Sequence, residues 1–123
     1  MKLFVALAIF EGCPRAWLDD ADALRAALAE AVSAASFTHY QTVAQRFEPQ
    51  GVTACAIVGE SHVALHSWPE EGRLFVDVAS CSTLDSVQRA VDAIGRALPE
   101  GRLAVCDLRE LDARGARPAG AST

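Results

Sequence analysis

The sequence predicts an α+β fold, a two-layer sandwich of a mainly antiparallel sheet with two helices on one face. Three observations carry this. Most apolar runs are short and rich in β-formers. They mostly follow one another at hairpin distance, which favours antiparallel pairing. Two longer stretches place apolar residues at helical spacing, and both must cover something.

The elements follow in chain order. "LFVALAIF", residues 3–10, has the length and composition of a buried strand. Behind Lys2 it also has the length of a short secretory core, but Glu11 stands where small residues would precede cleavage, so the strand is the better reading. Gly12, Cys13 and Pro14 break the run. Leu24, Leu28, Val32 and Ala35 then recur at helical spacing behind Asp19 or Asp20 as N-cap. Residues 37–47 alternate, Pro49-Gln50-Gly51 makes a turn, and 52–58 form a largely apolar strand. In "RLFVDVAS", residues 73–80, Leu74, Val76 and Val78 share one face, with Phe75, Asp77 and Ala79 on the other. An aspartate there is expected to be paired or near a site. Ser82, with Asp85 three residues on, reads as a capping box. It opens a helix with a Leu84, Val87, Val91, Ile94 and Leu98 stripe, which Pro99 and Gly101 stop. "RLAVCDL" supplies the last strand. The tail, residues 113–123, holds too little apolar surface to offset its ordering entropy and is expected to be disordered, leaving one domain over 1–112.

Composition narrows the function. An apolar fraction of 51% with 22% charged residues is that of a soluble globular chain, and a net charge of −5 argues against nucleic acid or an anionic membrane as partner. The expected partner is a small molecule or another protein. The four cysteines lack C-x-x-C spacing, so neither zinc nor a dithiol redox motif is indicated. No metal is expected, and reduced thiols fit a cytoplasmic protein.

The densest chemistry lies in "GESHVALHSWPEEG", residues 59–72. Within "RFEPQGVTACAIVGESHVALHSWPEEGRLFVDVASCS", the junction E-S-H followed by H-x-W-P-E resembles the bacterial S-adenosylmethionine decarboxylase proenzymes. A serine hydroxyl held against the preceding carbonyl can attack it and shift the acyl group from nitrogen to oxygen. A base that removes the serine α-proton then eliminates the ester, and hydrolysis leaves a pyruvoyl group at the new chain start. The resemblance implies cleavage between Glu60 and Ser61 into 1–60 and 61–123, with a covalent pyruvoyl cofactor made from Ser61. In the family such a ketone forms a Schiff base with the substrate amine and accepts the electrons released with carbon dioxide.

By the same resemblance, His66 is the elimination base and Cys81 the proton donor in turnover. Phe47 stacks on adenine, Glu70 holds the ribose hydroxyls, and Thr53 stands where the family has a serine that assists processing. His62 is left to orient the junction, and Trp68 and Pro69 to close a turn. The implied activity is decarboxylation of S-adenosylmethionine for polyamine synthesis.

Some positions depart from the family pattern. The first strand lacks the usual histidine and acidic residue, Gln45 precedes Arg46-Phe47 in place of histidine, Ser67 replaces threonine, and Ser82 replaces glycine. Two alternatives therefore stay open: a pyruvoyl decarboxylase of another amine such as arginine or ornithine, and a processed but inactive partner subunit.

Two geometric expectations follow. Ser61 and His66 are an odd number of residues apart, so cooperation within one chain requires a bend or bulge between them. Strands 52–58 and 74–80 carry apolar residues at both alternations, so part of that surface lies on the uncovered face and a homodimer is expected to bury it.

Overall fold

Alternation and burial agree strand by strand. In 73–80, Leu74, Val76 and Val78 are fully buried, while Phe75 and Asp77 are half-buried on the opposite side. The computed structural model describes residues 1–59 and 61–119. Along the chain it runs β1 (Leu3–Glu11), α1 (Arg15–Leu18), α2 (Ala21–Ala34), β2 (His39–Arg46), β3 (Val52–Val58) and β4 (Ser61–Trp68). A 3-10 turn (Pro69–Glu71), β5 (Arg73–Ser80), α3 (Leu84–Ala97), β6 (Arg102–Asp112) and β7 (Gly115–Pro118) complete it.

The seven strands form one sheet in the order β2-β3-β4-β5-β1-β6-β7, and all neighbours are antiparallel. α2 packs over β2, β3 and β4, α3 over β1 and β5, and the two helices touch each other. This is the expected two-layer α+β arrangement with its helices on one face. The core lies between the layers, where Leu24 and Leu28 of α2 and Val87, Val91 and Ile94 of α3 meet Ala8, Ala54, Leu65 and Val76. Burying each leucine fully contributes about 1.5–3 kcal/mol.

Of the two candidate caps for α2, Asp20 serves, accepting from the Asp22 and Ala23 amides at 3.0 and 3.2 Å. Other local expectations need correction. Thr83, not Ser82, caps α3: its hydroxyl accepts from the Ser86 amide, and no Ser82–Asp85 box forms. The break after β1 contains the short helix α1. The tail expected to be disordered from 113 instead turns into β7, which pairs with β6. Ion pairs hold it in place of apolar burial: Arg117 Nη2 lies 2.9 Å from Glu110 and 2.8 Å from Asp112. The Arg114 amide and the Arg117 guanidinium lower the Asp112 carboxyl to about 2. Residues 120–123 of that tail lie outside the described residues, as does Glu60.

The other face of the sheet carries no helix. Leu7, Val43, Ile57 and Val105 project from it, with exposures from 37% for Leu7 to 51% for Val105. Of the apolar residues in 52–58 and 74–80, Ile57 and Phe75 face outward, as expected of part of that surface, whereas Val52, Val58, Leu74, Val76 and Val78 face the helices.

Candidate active site

β4 positions most of the chemistry, and its alternation divides it. Val63, Leu65 and Ser67 are buried toward the helices, while His62, Ala64, His66 and Trp68 belong to the open face. Thr53 of β3 pairs with His66, which pairs in turn with Phe75 of β5. All three therefore share the open face. Thr53 Oγ1 lies 3.1 Å from His66 Nδ1. The imidazole stacks on Phe75 with ring centroids 5.6 Å apart, and the Trp68 ring lies tilted to Phe75 at 6.4 Å. Phe47 and Glu70 stand at the rim of the same hollow, which has a volume of about 450 Å³. That is the size of an ordinary small-molecule site.

Ser67 builds the floor from the buried side. Its hydroxyl donates to the Leu18 carbonyl at 2.6 Å and accepts from the Val52 amide at 2.9 Å. The sequence offers this residue only as a substitute for threonine. Phe75 and Trp68 were likewise not expected in the site, although period-two alternation does put Phe75 on the face opposite Leu74.

Ser61 and Cys81 lie at the far end. Ser61 opens β4 opposite Val58, so residues 59 and 60 form the connection between β3 and β4. The Ser61 hydroxyl turns back along the chain and donates to the Gly59 carbonyl at 3.1 Å. Cys81 directly follows β5, and the β4–β5 register ends with His62 opposite Ala79. One step further along each strand brings Ser61 beside Ser80, next to Cys81. His62 lies between the two ends, its Nε2 3.3 Å from Asp77 Oδ1. Asp77 is thus paired, as its position suggested.

Thr53, His66, Phe47 and Glu70 therefore gather at one end of β4, and Ser61 and Cys81 at the other. The expected bend is not there: pairing runs without a register shift from Ser61 to His66 on the β3 side, and from His62 to Trp68 on the β5 side. Five strand residues separate Ser61 and His66 by about 16 Å. Within one chain, His66 does not reach Ser61.

None of the four cysteines forms a disulfide. Burial pushes the Cys13, Cys55 and Cys106 thiols up, with Asp77 adding to the effect at Cys55. Among the described residues, no group of three His, Cys, Asp or Glu side chains could hold a metal ion, and no helix is long and apolar enough to cross a membrane.

The family model described as S-adenosylmethionine decarboxylase matches residues 6–110. The chain belongs to the S-adenosylmethionine decarboxylase family. Relatives named S-adenosylmethionine decarboxylase proenzyme include one from Synechococcus sp. (strain WH7803), 44% identical over 56% of this chain. The match spans 54% of that protein, about half its length. Another, from Methanococcus maripaludis (strain C7), is 33% identical over 80% of each chain. The crystal structure of the adenosylmethionine decarboxylase from Aquifex aeolicus VF5 superposes with a TM-score of 0.76 at 26% identity, covering 98% of this chain and 97% of that one. The family and the α+β fold expected from the sequence both stand.

Proposed function

We propose that the protein is a self-processing decarboxylase of S-adenosylmethionine whose active sites are each assembled from two copies of the chain. The observation that carries this is the division of the site between the two ends of one unbroken β4. A twofold axis running across the strands at the level of Ala64, between two sheets packed by their open faces, brings Ser61 of one copy opposite His66 of the other. Paired sheets stand about 10 Å apart, a gap that side chains fill. The apolar open face, with Leu7, Val43 and Ile57, suits such packing.

The surroundings of Ser61 fit self-processing. Its hydroxyl leans back over the junction toward Gly59 instead of out to solvent. Residue 61 lies at the start of β4, and His66 of the second copy must take the proton of its α-carbon from the open face. For that, Nδ1–H of His66 donates to Thr53 Oγ1 and Nε2 holds the lone pair. Glu60 supplies the carbonyl that Ser61 attacks. A pyruvoyl group at position 61 supplies a ketone that takes up the substrate amine and draws off the electron pair left by carbon dioxide. Cys81, beside the start of β4, returns a proton to the substrate carbon. The hollow takes the nucleoside: Phe47 and Phe75 offer aromatic planes, and Glu70 accepts from the ribose hydroxyls.

The relatives' shared name supports S-adenosylmethionine over arginine or ornithine. Four cysteines without disulfides support a reducing compartment, the cytoplasm. Decarboxylation of S-adenosylmethionine, arginine and ornithine by one purified sample tests the substrate. Carbon dioxide from S-adenosylmethionine alone is expected. Release from another of the three instead would overturn the substrate, and release from none would mark an inactive partner subunit.

A further inference from the structure

Residues 12–20 offer only a break and a helix cap in the sequence, yet in the fold they bond to several of the segments that line the hollow. The Cys13 amide donates to the Gly72 carbonyl at 2.9 Å, beside the turn that carries Glu70. Leu18 holds Ser67. Arg15 reaches Gln50 Oε1 through Nε at 3.2 Å and Nη2 at 3.0 Å. Asp19 ties down both ends of the loop that carries Phe47: Oδ1 accepts from the Gly51 amide at 2.9 Å and Oδ2 from Arg46 Nη2 at 2.8 Å. Arg46 extends the link to Glu48 through Nη1 at 2.9 Å.

We propose that Asp19 is a positioning residue for nucleoside binding, holding loop 47–51 through Gly51 and Arg46 so that Phe47 stands over the hollow. The inference rests on the nucleoside reading of that hollow. Phe47 is 47% exposed, so burial alone does not fix its ring. The loop closes on itself through the Phe47 amide and the Gly51 carbonyl at 2.8 Å, which sets the distance between its ends but not its tilt over the sheet. Asp19 supplies the tilt from a separate element. Gly51 adopts φ +103°, where a side chain is strained, and this turns its N–H toward Asp19. One carboxylate thereby takes both the arginine that precedes Phe47 and the glycine that closes its loop. Both contacts are charge-assisted, and the one to the Gly51 amide is partly buried while the Arg46 pair is exposed. The Gly51 amide first, and then Arg46, hold the Asp19 carboxyl below the ordinary carboxylate range.

The test is titration calorimetry with methylthioadenosine, a nucleoside thioether without the amino-acid part, on the parent, Asp19→Ala and Asp19→Asn. Intact mass is recorded on the same samples to follow cleavage. Asp19→Ala is expected to raise the Kd about tenfold. Asp19→Asn keeps an oxygen for the Gly51 amide and should raise it less. Both variants should cleave as the parent does, and with S-adenosylmethionine KM should rise while kcat holds. A Kd for Asp19→Ala within about twofold of the parent overturns the assignment. So does a binding loss matched by lost cleavage, which reports general disruption. If Asp19→Ala does not fold, Asp19→Asn decides by the same criteria. A parent that binds no methylthioadenosine overturns the nucleoside reading together with this one. A parent that binds, with Asp19→Ala binding equally well, overturns this inference alone.

Discussion

Replacing Ser67 by alanine removes one hydroxyl from the floor of the hollow and strands two buried backbone groups. The Val52 amide loses its acceptor at 2.9 Å, and the Leu18 carbonyl loses its donor at 2.6 Å. Val52 and Leu18 are 1% and 0% exposed, so water does not replace either partner. Each unpaired group costs about 1–3 kcal/mol, and about 2–4 kcal/mol is reasonable for the pair after partial relaxation. The unfolding entropy of a chain this long is about 0.26 kcal/mol/K, so Tm should fall by about 8–15 °C. Circular dichroism melts at one fixed protein concentration measure it, because the proposed dimer would make Tm depend on concentration. Ser67→Thr retains the hydroxyl and should melt within about 3 °C of the parent. An Asp or Asn at 67 would add bulk and is no control. If Ser67→Ala also melts within about 3 °C of the parent, the hydroxyl does not carry the link between α1 and β4, and the argument fails.

Other expectations follow from the same geometry. Leu7→Asp sets a third carboxylate between Asp77 and Asp107 on the open face and should give a monomer by sedimentation that remains uncleaved; a cleaved monomer would contradict the shared site. Cys81→Ala should still cleave, at least in part, but release little carbon dioxide from S-adenosylmethionine, and parental activity would remove Cys81 from the mechanism. Asp112 titrates at about 2 when folded against an ordinary 3.8, so its contribution is complete above 3.8 and is lost as pH falls toward about 2. Acid melts of Asp112→Asn should lack that part of the fall, and a curve identical to the parent's would exclude Asp112 as its source.

Much of the fold was legible because its signals are periodic. The Leu24-Leu28-Val32 spacing marked α2, and the alternation of Leu74, Val76 and Val78 marked the buried face of β5. What escaped was short or polar. α1 spans four residues, too few to show a period. β7 carries no apolar alternation, and its anchor, Arg117 between Glu110 and Asp112, is a tertiary charge match between segments. Adjacent Ser82 and Thr83 share the same capping chemistry, so only the backbone decides between them. In the candidate site, Thr53, His66, Phe47 and Glu70 do converge. The odd spacing of Ser61 and His66 signals that the two do not meet along one unbroken strand, and β4 is unbroken between them, but alternation within a chain says nothing of a second copy. The contacts of Asp19 are hidden because its partners, Arg46 at the end of β2 and Gly51 in the loop that follows, lie far along the sequence.

Whether each site combines Ser61 of one copy with His66 of another is decided by co-producing Ser61→Ala and His66→Ala chains and weighing the products. In a mixed dimer, one site holds an intact Ser61 facing an intact His66, and both belong to different chains. The account predicts that the His66→Ala chain is cleaved into 1–60 and 61–123 when made with Ser61→Ala, and stalls when made alone. Cleavage of His66→Ala alone to the same extent, or no cleavage in mixed dimers shown to form, would contradict it.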